Sequence, residues 1–347
     1  MTTLGSSGPR AGRGAGPRAD RGGCGRRRSH PRGVRFRAWG ALGTRLAWWR
    51  WCAWPARWRG QRRHAHGTKG NSALTRGEDS EGGGDWRTTF RPDIPSPARI
   101  YDYLLGGKDN YPADRQAGDE IAAYLPNIRE ACRWNRSFLR RAVNFLAADA
   151  GIRQFIDIGT GLPASGHVHD VARRADRQTR IVYVDNDPVV LAHGRNMLHG
   201  VPDTVILSHD LRAPAEILAD PELRRLIDFA EPVAILLVAI LPFISDADDP
   251  AGIIKDLLTP FPSGSYLALS HATADGTPAV NDAAKAFDEA TAQAHVRPRD
   301  AVLALVDGLD LVPPGLVWTP QWQPEPGAGM PARPADSLCY ALVARKP

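Results

Sequence analysis

After Gly151 the chain alternates short runs rich in β-branched residues with stretches of helical apolar spacing. A sequence with that rhythm builds βαβ units, and therefore a parallel sheet covered by helices on both faces. The spacing predicts strands over 153–158, 180–185, 203–208, 232–241 and 265–270, with helices near 163–175, 187–198, 214–226 and 249–259 between them. Helices near 278–294 and 298–307 follow. The last two strand-like runs, 311–318 and 337–345, are joined by a loop rather than a crossover helix, which predicts an antiparallel pair at one edge of the sheet.

Three helices are predicted before the first strand. Ser96 and Pro97 suit a helix start and Gly106-Gly107 a helix end, giving a helix over 97–105 with Ile100, Tyr103 and Leu104 on one face. A second runs from about Ala113 to Tyr124 and stops at Pro126. A third carries Ile128, Cys132, Asn135, Leu139, Ala142 and Leu146 at spacings of three and four. Residues 86–150 read as a helical segment able to fold over a site as a lid.

Composition matters chiefly upstream of this. Residues 1–85 hold 18 Lys/Arg against 5 Asp/Glu, with 18 of the 34 glycines and 6 of the 10 tryptophans, and no apolar periodicity. The net charge of +6 thus belongs to the tail. An Arg/Gly/Trp-rich arm can neutralise phosphates and stack on bases. The reading preferred here is a disordered extension, or residues upstream of the true translation start, ending near Asp85 after the Gly82-Gly83-Gly84 run. Cysteines at 24, 52, 132 and 339 have no metal-ligand or disulfide-framework spacing, so no metal is expected and a reducing cytoplasm is the simplest setting. The longest apolar run, Val233 to Ile244, is too short to span a bilayer.

The stretch FIDIGTGLP (155–163) is a strand entering a glycine turn and then a helix. Gly159 and Gly161 allow positive φ and close backbone approach, and a following helix would offer free N–H groups to an anion. By itself a G-x-G is equally a tight strand-to-helix turn. The next strand ends in Asp185, 26 residues after Gly159, where a carboxylate can accept both hydroxyls of a ribose. The third ends in Ser208-His209-Asp210-Leu211. Three consecutive strand ends therefore carry acids, which points to a nucleoside-containing ligand lying across the carboxyl edge of the sheet.

These motifs, with VYVDNDP (182–188), SHDLR (208–212), VAILLVAILPFI (233–244) and LSHATAD (269–275), resemble class I S-adenosylmethionine-dependent methyltransferases. The segment RPDIPSPARIYDYLLGGKDNYPADR (91–115) narrows the resemblance to the actinobacterial S-adenosyl methyltransferase family, long carried as a domain of unknown function. The resemblance covers about Phe90 to Lys346. It implies a seven-stranded, mostly parallel Rossmann-like sheet with an antiparallel terminal hairpin over 151–347, and S-adenosyl-L-methionine as cofactor. On that analogy Gly159, Thr160 and Gly161 lie against its methionine part, with Asp157 near the ammonium. Asp185 with Asn186 takes the ribose, and Asp210 with Leu211 flanks the adenine. Pro163 stands where the family usually has a third glycine.

Catalysis is less marked. Methyl transfer needs in-line placement of a nucleophile freed of its proton, and a general base is optional. The candidates are His271 and Tyr103, with Tyr101, Gly107, Lys108 and Asn110 as lid contacts. The stretch after the fourth strand, Ala239 to Phe243, lacks the Asn/Asp-Pro-Pro-aromatic pattern of many base-modifying methyltransferases, which argues against nucleic acid and for a small-molecule acceptor. Three alternatives stay open at this point: a nicotinamide-dependent oxidoreductase, a nucleic-acid methyltransferase or binder using the basic tail, and a module that binds the cofactor without turnover. Oligomeric state is not readable from the sequence.

Overall fold

The computed structural model describes residues 90–164, 166–327 and 329–347. The tail reading and the boundary near Asp85 lie outside the described residues. Three helices come first: α1 (Pro97–Leu105), α2 (Pro112–Tyr124) and α3 (Ile128–Asn144), the last running on into a π-helical turn over Phe145–Asp149. The alternating part follows as β1 (Gln154–Ile158), α4 (Val168–Ala172), β2 (Arg180–Asp185), α5 (Pro188–Met197), β3 (Thr204–Ser208), α6 (Pro214–Ala219), α7 (Pro221–Leu226), β4 (Ala234–Val238), α8 (Pro250–Leu258) and β5 (Tyr266–Ala272). It closes with α9 (Ala279–Ala284), α10 (Arg299–Ala304), β6 (Asp310–Leu311), β7 (Val317–Trp318) and β8 (Cys339–Arg345).

The sheet order is β3-β2-β1-β4-β5-β8-β6, with β7 also paired to β8. Strands β1 to β5 are parallel, and β8 runs antiparallel to β5 and to both β6 and β7. The order reverses between β1 and β4, the position where an open α/β sheet opens a crevice at its carboxyl edge. Side chains alternate between two cores with the period of two that a pleated strand imposes. Ile156, Ile158, Val182, Val184, Ile235 and Leu237 face one side, under α6, α7 and α8. Phe155, Ile181, Tyr183, Ala234 and Leu236 face the other, under α3, α4 and Trp322. Among the described residues no helix is long and apolar enough to cross a membrane.

The expected edge pair is present, with its outer member interrupted. Leu311 pairs with Ala344 and Val317 with Ala341, so six steps along the outer segment match three along β8. The intervening Pro313-Pro314-Gly315 cannot supply a continuous row of ladder N–H groups, which splits the predicted 311–318 strand into β6 and β7. The sheet thus has seven positions filled by eight strands.

Other departures have equally local causes. The helix expected over 163–175 shrinks to α4, because Gly161 and Gly166 at φ 67° and 80° keep the preceding segment out of helix and leave Pro163 in the loop. The 214–226 stretch divides at Asp220, whose carboxylate caps α7 by accepting from the Glu222 and Leu223 N–H groups. Strand β4 stops at Val238 because Ala239 is left-handed at φ 60°. Regular helix after β5 is short: beyond α9, the Thr291 and His295 N–H groups bond the Pro95 and Pro242 carbonyls instead of helical partners.

Helix α3 is fastened to the far end of the domain by Arg141, 8% exposed, which donates to the Trp322 carbonyl at 2.8 Å, the Thr319 carbonyl at 2.6 Å and Ser137 Oγ at 2.7 Å. Trp322 in turn packs edge-on against Phe138 and Phe145. Replacing Arg141 by Met strands two buried carbonyls, at about 1–3 kcal/mol each. Urea unfolding of Arg141→Met is expected to show a loss of about 3 kcal/mol, with cofactor affinity unchanged because Arg141 is not part of the cavity wall described next.

Candidate active site

The carboxyl ends of β1, β2 and β3 form one wall of a cavity of about 510 Å³, and α1, α2, α3, α9 and the loops after β4 and β5 form the rest. That size suits a bound small molecule. Every residue expected from the glycine turn and the acidic strand ends lines it: Asp157, Gly159, Thr160, Gly161, Asp185, Asn186, Asp210 and Leu211.

The turn after β1 is shaped by close approach. Gly159, at φ 72°, donates its N–H to the Val184 carbonyl at 2.8 Å, and a Cβ there would fall 2.6 Å from Ile240. Gly161, at φ 67°, donates to Asp185 Oδ2 at 2.9 Å, and its missing Cβ would meet no atom within 4 Å, so its backbone lies open to the cavity. The other oxygen of Asp185 accepts from the Asp187 N–H at 2.9 Å. Helix α4 begins only at Val168, so the anion-facing helix N-terminus expected directly after the turn is not there; backbone groups and Asp185 shape the turn instead.

The three carboxylates differ in their surroundings. Burial pushes Asp157 up to about 6, against the Arg136 charge and the Thr160 hydroxyl that pull it down. Burial likewise pushes Asp185 up to about 6, against the N–H groups of Asp187 and Gly161. Asp210 is instead held below the ordinary carboxylate range by Arg212, which donates from Nε at 2.9 Å, and Asn186 donates to it at 3.0 Å. Two buried acids whose charged forms burial disfavours suit a ligand bringing an ammonium group or hydroxyls. Arg136 Nε is buried with no partner among the described residues and lines the same wall, which suits a ligand carboxylate. These donors and acceptors fit the amino acid and ribose parts of S-adenosylmethionine.

Sequence reasoning missed the junction that holds α1 over this wall. Asp187 caps α5 by accepting from the Val189 N–H at 2.8 Å, and its second oxygen accepts from the Ser96 hydroxyl, which therefore does not cap α1. Arg99, 2% exposed, lies between Asp187 (3.5 Å) and Asp114 (3.6 Å), and Asp114 accepts from the Ser96 and Tyr111 N–H groups. The signal was present in NDP, an acid before proline at a helix start, and in an arginine beside the apolar face of α1.

Several expected contacts are elsewhere. His271 is fully buried and outside the cavity wall: Arg297 donates to its Nε2 at 2.9 Å, its Nδ1 lies 2.8 Å from the Ala272 carbonyl, and burial drops it to about 4. It is a neutral structural histidine, not a base facing the cavity. Tyr103 turns outward, its hydroxyl on Asp119 and its ring under Arg129. Gly107, Lys108 and Asn110 also miss the cavity, because GGKDN wraps the Asp102 carboxylate, which accepts from the Asp109 N–H and the Asn110 amide. A Cβ at Gly107 would strike that carboxylate at 1.9 Å. Of the lid candidates only Tyr101 lines the cavity.

Comparison with known proteins agrees with this geometry. A family model described as S-adenosyl methyltransferase matches residues 86–347. Among solved structures, a DUF574-family protein from Streptomyces avermitilis is 42% identical with a TM-score of 0.71, covering 74% of this chain and 100% of its own. A Thermobifida fusca protein is 38% identical with a TM-score of 0.69, covering 73% of this chain and 96% of its own. A search of curated proteins gave no match. With three quarters of its length inside that family model, the chain belongs to the S-adenosyl methyltransferase family and is an S-adenosylmethionine-dependent methyltransferase.

Proposed function

We propose that this enzyme methylates a small-molecule acceptor in the cytoplasm, with Asp157, Gly159, Thr160, Gly161, Asp185, Asn186, Asp210 and Leu211 as its cofactor-binding residues. The observation that carries the reading is the convergence of three acidic strand ends and an open glycine backbone on one wall of a cavity roofed by helices. When bound, S-adenosylmethionine supplies an electrophilic methyl group on a sulfonium. Asp185 accepts ribose hydroxyls while staying tied to the Gly161 and Asp187 N–H groups. Asp157 accepts an ammonium group, Arg136 faces a carboxylate, and Leu211 packs beside the adenine. Helices α1 to α3 act as a lid that keeps water from the reacting atoms, so positioning and desolvation supply most of the acceleration. A cavity walled by helices on the far side of the strand ends favours a small acceptor over a duplex or a folded polymer.

Isothermal titration of the full chain with S-adenosylmethionine, S-adenosylhomocysteine and NAD tests this. Asp185→Ala is expected to weaken the first two about ten- to a hundredfold, the range for removing a charged hydrogen-bond acceptor. Preference for NAD, or an unchanged affinity in the variant, would refute the assignment.

A pH dependence follows from the two buried acids. Their folded values, raised to about 6, lie above the unfolded value near 4, so the folded state holds protons more tightly. Stability of the ligand-free protein is therefore expected to fall as pH rises from about 4 through 6, by on the order of 2–3 kcal/mol per group, and to level off above. A ligand that donates to the ionised forms binds more tightly across the same window, with proton release. Calorimetry at pH 5 and pH 7.5 in buffers of different ionisation enthalpy checks both the direction and the protons; a flat profile would remove Asp157 and Asp185 from the site.

A further inference from the structure

The cavity has two chemically different halves. One is floored by the strand ends, where Asp157, Asp185 and Asp210 sit and where Arg99 and Arg136 bring their charge beside Asp187 and Asp157. The other is enclosed by a third hydrophobic cluster, separate from both sheet-face cores. It takes Ile100 and Leu104 from α1, Ile121 from α2, Cys132 from α3, and Val280 and Ala283 from α9. Protein interiors are close-packed, so an apolar cluster that surrounds a cavity, rather than filling it with its own side chains, is shaped for a guest.

Three of the polar side chains around this half bond to one another or to the backbone. The Tyr101 hydroxyl donates to the Cys132 carbonyl at 3.0 Å and accepts from Asn135 Nδ2 at 3.0 Å, while Asn135 Oδ1 accepts from the Ser270 hydroxyl at 2.6 Å. One oxygen of the Asp102 carboxylate, Oδ2, accepts from the Asp109 N–H and the Asn110 amide of the GGKDN turn. Burial favours the neutral forms of Tyr101 and Cys132 and pushes the Cys339 thiol up to about 12. Phe243 and Phe287, with ring centroids 5.3 Å apart, add an aromatic edge to the lining. An ionised group entering this half would exchange its hydration for walls made mostly of apolar side chains.

We infer that the methyl acceptor is an uncharged, largely apolar ring compound, held between α1, α2, α3 and α9. This rests on the small-molecule methyltransferase reading above and narrows it. An acceptor analogue with a carboxylate or an ammonium group in the chamber is expected to bind at least tenfold more weakly than its neutral counterpart.

The test uses the full chain saturated with S-adenosylhomocysteine and equilibrium dialysis at pH 7 against three probes of one ring size: 2-naphthol, 2-naphthoate and 2-naphthylmethylammonium. It is repeated with Ala284→Trp, which fills the chamber from a half-buried position of its wall, and with Val280→Trp as a second filling variant. The expected result is retention of 2-naphthol, at least tenfold weaker retention of both charged probes, and loss of 2-naphthol in the variants with S-adenosylhomocysteine still bound. Should both variants misfold, the ranking of the three probes on the wild-type protein decides. Equal or tighter binding of a charged probe, no binding of 2-naphthol, or 2-naphthol binding that neither variant disturbs would overturn the inference and leave the cofactor assignment standing. Failure of the wild-type protein to bind S-adenosylhomocysteine would overturn that assignment, and the inference with it.

Discussion

The geometry of the acidic wall of the cavity hangs on the two backbone hydrogen bonds that Asp185 accepts. One fixes Gly161 in the turn after β1 and the other fixes Asp187 at the start of α5, so a single buried carboxylate sets the spacing between two loops that neighbouring strands would otherwise leave free. The turn needs this support because its usual prop is absent: α4 starts too late to hold Gly161 by helical hydrogen bonds. Gly159 supplies the complementary constraint, since its approach to Ile240 leaves no room for a side chain and joins the turn to the loop after β4. Elements on both sides of the sheet reversal are thereby locked to the same few atoms.

The docking of α1 depends on the same point. Asp187, placed by Asp185, holds Ser96 and faces Arg99, and Arg99 faces Asp114, which in turn fixes the backbone at Ser96 and Tyr111. A buried ionic cluster of this kind is a weak source of net stability, because desolvation of the charges offsets most of their attraction. Its effect is positional. Two nitrogens of Arg99 have no hydrogen-bond partner among the described residues, yet the guanidinium is nearly sealed, between two acids and within 5.5 Å of the Phe90 and Tyr111 rings. Moving α1 off the site would strip Asp114 and Asp187 of their balancing charge at once, which favours the docked position.

How much of this was legible in the sequence depends on the range over which each signal acts. The strands were readable because alternation of side chains between two covered faces is a local property, and Asp157, Asp185 and Asp210 were readable because the carboxyl edge of a parallel sheet is where its successive strand ends gather. The failures lie where distant groups decide. Pro163 looks like a first helical residue, but the positive φ at Gly161 and Gly166 prevents a helix there. His271 has the look of a base at a strand end until Arg297, 26 residues on, caps its Nε2. The YDYLLGGKDN stretch suggested cofactor contact, whereas its glycine and amide groups serve Asp102 within the same loop. The Ser96–Arg99–Asp114–Asp187 junction joins residues up to 91 positions apart, and no local pattern could have assembled it.

Helix α1 carries both functions of the roof on adjacent residues. Arg99 turns toward Asp187 and the acidic floor, while Ile100 and Leu104 belong to the apolar cluster around the other half. A helix rotates its side chains by about 100° per residue, so these directions are fixed together once the helix is docked. The wall of the apolar half is therefore complete only when the ionic junction beside Asp185 is also formed. Yet the residues that set the chamber's shape, Ile121, Val280 and Ala283 among them, hydrogen-bond none of the three strand-end acids through their side chains. The apolar half can thus be altered from α2 and α9 without disturbing the strand-end acids, and the separation lies in the fold itself, because the strand ends supply the polar floor and the helices outside the sheet supply the apolar roof.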